Sequence, residues 1–171
     1  APANLKTMTT PHAIDFGASP EKAQMRLLGY TLPSASLRPG EVLEVTLYWQ
    51  SIAVTAKDWS VFVHLQDSAG TLVAQRDTYP GLGLLPTSGM QPGRTVADRY
   101  VLPIPATAYA PAELHLDIGL YDYSTGQRLR TTYGMDSVQL AMVELNTNPG
   151  HNPNAQKINF QDRIELVGYE M

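Results

Sequence analysis

Apolar and polar residues alternate along three segments of the chain, which are residues 41–51, 59–66 and 113–122. In the first of these, Leu43, Val45, Leu47 and Trp49 fall at every second position. Successive side chains of a β-strand point to opposite faces of its sheet, so a period of two places these residues on one face. Each segment therefore predicts a strand with one buried face, and both tryptophans, Trp49 and Trp59, are expected in the core.

Weaker strand patterns lie between these segments, at residues 25–32, 71–77, 95–102, 127–132 and 137–145. Turn sequences separate them, among them Asp67–Gly70 and Asp122–Gly126, where an Asp is followed by a Gly. Such pairs favour tight turns, because Asp caps the backbone and Gly accepts a positive φ. Only residues 19–26 favour a short helical turn. The sequence predicts an all-β fold, a two-sheet antiparallel β-sandwich of immunoglobulin-like or jelly-roll-like type, with little helix.

One segment, residues 80–93 (PGLGLLPTSGMQPG), is too rich in Pro and Gly for a strand and too apolar for an ordinary solvated loop. We expect it to fold over an edge or an open end of the sandwich. Two roles are open for it: a cover that blocks strand addition at the edge, or a loop that contacts a ligand.

The beginning and the end of the chain share an apolar pattern. Ile14-Asp15-Phe16 is followed by MRLLGY from Met25, and Ile158-Asn159-Phe160 is followed by IELVGY from Ile164. We expect a lead-in or linker at 1–13, the sandwich module at 14–145 and a polar linker at 146–157. Residues 158–171 are then either the first strand of a following repeat or an added strand of this sandwich. Strand exchange with a neighbouring chain through 158–171 is open, and the oligomeric state is not predicted.

Composition excludes several classes of function. The net charge of −4 and the pI near 5.5 give no basic field for nucleic acid, which is not expected as a partner. The chain has no Cys, so disulfides, thiolate metal sites and thiol catalysis are excluded. No apolar run approaches the roughly 18 residues that span a bilayer. Because the chain starts at Ala1 rather than Met, we expect a processed product or an excised module.

Polar faces of the predicted strands carry the candidate ligand-binding residues, which are Tyr48, His64, His115, Asp117 and Tyr121. If their strands are neighbours, these side chains form an aromatic and imidazole patch on one outer sheet face. Such a patch suits stacking on a sugar ring. His64, His115 and Asp117 could also hold a metal, but ordinary cross-strand pairing is the simpler explanation of these residues, and neither a metal nor a cofactor is predicted.

Four carboxylates are candidates for a glycosidase pair, namely Asp77, Asp98, Asp117 and Asp122. A pair of this kind needs two carboxyl groups about 5 to 10 Å apart, with one in a dry pocket. Each has a simpler role, since Asp122 opens a turn and Asp77 and Asp98 lie beside arginines. The chain has no nucleophile elbow, no zinc-protease motif and no phosphate loop. No catalytic residue is therefore assigned.

Five stretches between about Leu27 and Leu145 carry a resemblance to a known family: LLGYTL, LRPGEVLEVTLYWQS, WSVFVHLQDSAGTLVAQRDTYPG, PTSGMQPGRTVADRYVLPIP and LDIGLYDYSTGQRL. They resemble bacterial β-sandwich modules found at the carboxyl side of polytopic membrane proteins that look like glycosyltransferases of the lipid-linked-mannose type, often in tandem. The resemblance implies an extracytoplasmic location and no known activity for the module itself. One departure is Gly89-Met90, where the family pattern has a Trp.

These observations leave three functions in order of preference. The first is a non-catalytic extracytoplasmic module that spaces or docks a neighbouring domain for a larger, glycosyltransferase-like membrane protein. The alternative is a carbohydrate-binding module that uses the outer face with Tyr48, His64, His115 and Tyr121. A glycoside-processing enzyme is the third. If the polar-face aromatic residues are exposed, they favour the carbohydrate-binding module. If residues 80–93 cover them, they favour the non-catalytic spacing or docking module.

Overall fold

The structure is a computed structural model that describes residues 4–149, 154–161 and 164–169. Nearly all of its regular structure is β. The strands are β1 Thr10–Gly17, β2 Ala23–Thr31, β3 Ser36–Leu37, β4 Val42–Ser51, β5 Trp59–Asp67, β6 Leu72–Thr78, β7 Thr95–Pro103, β8 Ala112–Asp122, β9 Arg128–Leu129, β10 Val138–Leu145, β11 Asn154–Phe160 and β12 Ile164–Tyr169. Three short 3₁₀ turns, Leu5–Thr7, Pro20–Lys22 and Thr87–Gly89, are the helical segments. None of the described helical segments has the length and apolarity of a membrane span.

Two sheets form a sandwich. Sheet 1 has the order β1-β2-β4-β7, and sheet 2 has the order β3-β10-β8-β5-β6, with β9 added beside β8. All pairs in sheet 1 are antiparallel, and the short β3 is parallel to β10. The chain changes sheet after β2, β3, β4, β6 and β7, so strands that follow each other in the sequence often lie in different sheets. The predicted all-β sandwich is confirmed.

The core lies between the sheets, where the alternating apolar residues of both meet. Trp49 of sheet 1 packs on Phe16 with ring centres 5.7 Å apart, and both are fully buried. Tyr30 crosses the core and donates its hydroxyl hydrogen to the carbonyl oxygen of Leu140 in sheet 2, at 2.8 Å. A buried hydroxyl needs such a partner. This bond therefore ties the two sheets at a fixed position.

The predicted strands are found with bounds within two residues, except at 127–132, where β9 has only two residues. The sequence missed β3, and β1 begins at Thr10, inside the segment expected to be a lead-in or linker. The two Asp-Gly turns form as expected. Asp67 Oδ1 accepts the backbone N–H of Ala69 at 2.9 Å, and Gly70 has φ +80°, a conformation that glycine adopts without strain.

β11 and β12 form a two-stranded hairpin, here called the terminal hairpin, and its described residues pair with neither sheet of the sandwich. The polar segment 146–157 does not remain irregular throughout, because β11 begins at Asn154. Before that strand, the side-chain amides of Asn146 and Asn148 donate to Ser36 Oγ and to the Pro39 carbonyl. These bonds hold residues 146 and 148 against the sandwich.

The loop 80–93 joins β6 and β7, which are edge strands of opposite sheets. Met90 from this loop is fully buried in the core. Asp98 of β7, only 1% exposed, accepts the backbone N–H of Gly81 at 2.9 Å and the hydroxyl hydrogen of Tyr100. Thr87 Oγ1 accepts the backbone N–H of Trp59 at 2.8 Å. The loop is thus fastened across the sandwich edge, as the edge-cover interpretation predicts.

Asp98→Asn tests this fastening through its pH dependence. Burial raises the pKa of the Asp98 carboxyl from its ordinary value of 3.8, although its hydrogen bonds oppose this rise. Ionisation of Asp98 therefore costs folding free energy above the raised pKa, and the cost disappears as the pH falls toward 3.8. We expect the wild type to gain stability relative to Asp98→Asn as the pH falls from about 7 to about 4, measured by urea unfolding. A difference that is constant with pH, or that changes in the opposite direction, would contradict this.

Candidate functional site

Outward positions of β5 and β8 bring four of the five predicted site residues to one surface. The register pairs His64 with Asp117, Gln66 with His115, and Ser60 with Tyr121. Residues opposite each other in neighbouring strands point to the same side of the sheet. His64, His115, Asp117 and Tyr121 therefore share the outer face of sheet 2.

Tyr48 does not join them, and the expectation that it would is wrong. It belongs to β4, which pairs with β2 and β7 in sheet 1. Its side chain is only 2% exposed, and its hydroxyl oxygen lies 2.8 Å from Thr7 Oγ1 and 3.3 Å from Thr31 Oγ1. Residues before β1 thus cover Tyr48 on the outer face of sheet 1. An alternating pattern gives the face of a strand but not the sheet to which it belongs.

Phe62 lies at the centre of the outer face of sheet 2, although it is apolar and only 2% exposed. Its ring centre is 4.8 Å from that of His64 and 6.3 Å from that of Tyr121. The guanidinium of Arg128 lies over the Phe62 ring at 3.9 Å and reaches within 5.7 Å of the Tyr121 ring. Cations are attracted to aromatic faces in this geometry. Arg128 therefore covers Phe62 and helps to hold the Tyr121 side chain.

Gly119 makes room for Phe62. A Cβ atom at Gly119 would lie 2.3 Å from Phe62 Cζ, so the ring occupies the space that a side chain on β8 would fill. Two non-bonded carbon atoms do not approach each other so closely. The glycine thus lets an aromatic ring lie against the outer face of the sheet.

Polar side chains around Phe62 are held by hydrogen bonds with one another. His64 Nε2 lies 3.1 Å from Asp77 Oδ1, and His115 Nδ1 lies 2.9 Å from Gln139 Oε1. Gln66 donates from Nε2 to Asp117 Oδ2 at 2.6 Å. We use the name outer patch for this surface, defined by Phe62, His64, Gln66, Asp77, His115, Asp117, Tyr121 and Arg128. Mutual hydrogen bonds orient its side chains before any ligand arrives.

Tyr121 is the half-exposed aromatic residue of the outer patch. Partial burial, together with the nearby Asp77 carboxylate, raises the pKa of the Tyr121 hydroxyl above its ordinary value of 10.0, so it remains protonated at neutral pH. Tyr123, 73% exposed, continues the aromatic surface with its ring centre 6.4 Å from that of Tyr121. The patch thus offers both ring faces and polar hydrogens.

A groove of about 540 Å³ opens beside the outer patch, at one end of the sandwich. Its lining includes Trp59 and three cationic side chains, Lys57, Arg128 and Arg130. Trp59 donates from Nε1 to Gln24 Oε1 at 3.0 Å, which fixes its indole at the groove wall. Because Arg128 lines the groove and also lies over Phe62, the groove and the outer patch form one continuous surface.

The loop 80–93 leaves the outer patch uncovered. In the described residues, its hydrogen bonds to the rest of the chain reach Ser51, Thr55, Lys57, Asp58, Trp59, Tyr79, Arg94 and Asp98, all outside the patch. Of the two candidate tyrosines, Tyr121 is thus half exposed and not bonded to this loop, whereas Tyr48 is buried.

Of the four carboxylates considered for glycoside chemistry, Asp77 and Asp117 both lie in the outer patch beside His64, whereas Asp98 and Asp122 lie outside it. Asp98 is buried in sheet 1 beneath the loop 80–93, whereas the other three belong to sheet 2. Asp122 accepts from Lys57 Nζ at 2.9 Å and from the Ser124 hydroxyl at 2.6 Å in its turn. Among the described residues no three His, Asp or Glu side chains are grouped so as to hold a metal ion.

Sequence reasoning missed Phe62, Gln66, Gly119 and Arg128. Phe62 carried a signal, because it is the one large apolar residue among the polar-face positions Ser60, Phe62, His64 and Gln66 of β5. Gly119 carried a second signal, because a glycine inside a strand often marks a place where another group packs closely against the backbone. Nothing in the sequence placed Arg128 over β5, because β9 reaches the patch by pairing with β8.

Fold and surface together define a β-sandwich module with an open, polar and aromatic outer face. No protein-family model matches the chain, and neither does any curated protein. Among solved structures, the C-terminal domain of Wzt is similar to this chain, with a TM-score of 0.55 and 12% sequence identity. The likeness covers 84% of this chain and 83% of that domain. At this identity, it shows the shared sandwich fold.

A second solved structure is the Pseudomonas fluorescens alkylpurine DNA glycosylase AlkC bound to DNA containing an abasic site analogue. Its TM-score is 0.46 at 16% identity, and the match covers 74% of this chain and 31% of AlkC. This likeness is too weak to bear on the fold or function of the chain.

Gly119→Ala tests the geometry of the outer patch. We expect it to lower the free energy of unfolding by about 1–3 kcal/mol, because the new methyl group displaces the Phe62 ring. In a Phe62→Ala background the same change should cost at least ~1 kcal/mol less, as the colliding ring is gone. Urea unfolding of the four proteins in this double-mutant cycle measures both values. Equal costs in the two backgrounds would show that Phe62 does not lie against Gly119.

Proposed function

We propose that this chain is a non-catalytic binding module of a larger protein and that the outer patch holds its ligand, a glycan. The observation that carries the proposal is the arrangement around Tyr121, where a half-exposed ring stands beside His64, Asp77 and Arg128. A sugar ring presents C–H groups on its face and hydroxyls at its rim. Aromatic faces suit the C–H groups, and fixed polar side chains suit the hydroxyls.

The polarity of the patch favours a glycan over a protein partner. The centre of a typical protein interface is apolar and poor in charged residues. Here the apolar residue at the centre, Phe62, is already covered by Arg128, and the accessible groups around it are mostly polar. A sugar gains from such groups, since each hydroxyl can both donate and accept.

Arg128 supplies hydrogen-bond donors for the hydroxyl groups of a glycan. No carboxylate of the described residues forms a salt bridge with its guanidinium, whereas Lys57 and Arg130 at the groove are paired with Asp122 and Asp136. Stacking on Phe62 fixes the plane of the guanidinium and leaves N–H groups at its rim for ligand oxygen atoms. A glycan longer than one unit can extend from Tyr121 past Arg128 into the groove.

For the setting of the module, we propose an extracytoplasmic position beside a glycosyltransferase-like membrane protein. The resemblance carried by the stretches between Leu27 and Leu145 supports this setting. In such a setting, the module would hold a glycan or a neighbouring domain of the same polypeptide, and catalysis would belong to another part of the protein.

A glycan-array screen tests the proposed function. We expect the wild type to bind a subset of glycans and Tyr121→Ala to bind them roughly three- to tenfold more weakly, because a stacking ring is lost. His64→Ala should weaken the same glycans, since it removes a polar group beside that ring.

Arg99→Ala is the control for this screen, because Arg99 lies in sheet 1 and forms an exposed salt bridge with Glu44. It should bind as the wild type does. Absence of binding above background would exclude the carbohydrate function. Equal loss in Arg99→Ala and Tyr121→Ala would show that the outer patch is not the binding surface.

A further inference from the structure

The terminal hairpin repeats the register of the first hairpin of the sandwich, β1–β2. In the first hairpin, Ile14 pairs with Leu27 and Phe16 pairs with Met25. In the terminal hairpin, Ile158 pairs with Leu166 and Phe160 pairs with Ile164. The outer ends agree as well: Thr10 pairs with Tyr30, and Asn154 pairs with Tyr169. Each residue of β1 from Thr10 to Phe16 thus corresponds to the residue 144 positions later in β11. Each paired residue of β2 from Met25 to Tyr30 corresponds to the residue 139 positions later in β12.

Both hairpins contain the same bulge. The ladder of β1–β2 shifts between Pro11 and Ile14, opposite Gly29 and Leu27. The ladder of β11–β12 shifts between Ala155 and Ile158, opposite Gly168 and Leu166. In each case two residues on the first strand face one residue on the second. A bulge at one fixed position is a specific feature of a strand pair, and two unrelated hairpins have no reason to share it.

The two hairpins share five pairs of identical residues, and in the first hairpin all of these residues except Gly29 lie in the core or pack against it. They are Ile14 and Ile158, Phe16 and Phe160, Leu27 and Leu166, Gly29 and Gly168, and Tyr30 and Tyr169. Phe16 and Leu27 are fully buried in the sandwich. Their equivalents Phe160 and Leu166 are 54% and 36% exposed. The terminal hairpin thus keeps the core residues of the first hairpin without a core to cover them.

We propose that the terminal hairpin is the opening hairpin of a second β-sandwich of the same fold in the same polypeptide. Its apolar face is then the docking surface for a strand of the β4 type and for the sheet that faces it. In the first sandwich, β4 lies beside β2, with Trp49 opposite Leu27 and Leu47 opposite Tyr30. Among the described residues β12 pairs with β11 alone, and its other edge presents Leu166, the equivalent of Leu27, to such a strand.

Tyr169 marks the junction between the two sandwiches. Its ring stacks on that of Tyr109, with centres 5.8 Å apart and planes inclined by 28°. Tyr109 lies just before β8 of the first sandwich. In this structure the contact holds the terminal hairpin against the first sandwich.

A graft tests whether the hairpins are equivalent. In the full chain, β1–β2 receives the residues of the terminal hairpin through Thr10→Asn, Pro11→Ala, His12→Gln, Ala13→Lys, Asp15→Asn, Met25→Ile, Arg26→Glu and Leu28→Val. We expect cooperative thermal unfolding with Tm lowered by no more than roughly 10 °C, because every shared core residue stays in place. Grafts of β1 alone and of β2 alone should each show a smaller shift.

The matched control places residues 155–161 at positions 10–16, which moves the isoleucine and phenylalanine of β11 by one position. A shift of one residue turns their side chains to the outer face. This control should unfold at a much lower temperature or fail to fold. The proposal is overturned if the shifted graft is as stable as the in-register graft, or if neither the full graft nor the single-strand grafts fold.

Deletion of residues 157–171 separates the proposal from its alternatives, with Tm and solution mass as readouts. We expect the Tm of the first sandwich to stay unchanged and the solution mass to fall only by the mass of the deleted residues. A collapse of Tm would show that the hairpin is an added part of the first sandwich. A dimer that becomes monomeric on deletion would show that the hairpin engages a second copy of the chain. Either result overturns the proposal.

Discussion

Sheets 1 and 2 meet through a continuous apolar layer, in which Phe16 and Trp49 of sheet 1 are packed ring against ring. Burial of one face of each strand in this layer fixes the other face as well, because successive side chains of a strand point to opposite sides of the sheet. The outer faces of the two sheets differ in how much of them is covered. Residues before β1 cover sheet 1 around Tyr48, whereas the outer face of sheet 2 keeps Tyr121 half exposed.

The outer patch depends on one further contact, that of Phe62 with Gly119. An aromatic residue on a solvated face would normally stand free, but here it lies in the space of a missing side chain and beneath Arg128. Burial of this ring joins β5, β8 and β9 at one point, and the polar side chains around it hold each other by hydrogen bonds. A surface that is ordered before a ligand arrives loses less conformational entropy on binding. The patch thus has the rigidity that a small polar ligand requires.

Much of the sandwich followed from the sequence, because a period of two is strong wherever one face of a strand is buried. Strands β4, β5 and β8 are clear examples. The candidate site was predicted less completely. His64, His115, Asp117 and Tyr121 share a face because β5 and β8 are neighbours, but Tyr48 lies in the other sheet, since β4 and β5 do not pair although they follow each other in the chain. Local patterns contain no information about such crossings. Arg128 was missed for the same reason, because its position comes from the pairing of β9 with β8.

The central claim is that the outer patch of sheet 2 is the ligand-binding surface of the module. The most direct test is an NMR titration of the isotope-labelled chain with a glycan selected by the array, in which backbone amides and both tryptophan indoles are followed. A ligand on the patch is expected to shift amides of β5 and β8 around His64 and Tyr121, while the indole of Trp49 in the core stays unchanged. Shifts centred on sheet 1, around Glu44 and Arg99, or confined to the Trp59 indole in the groove, would contradict the account.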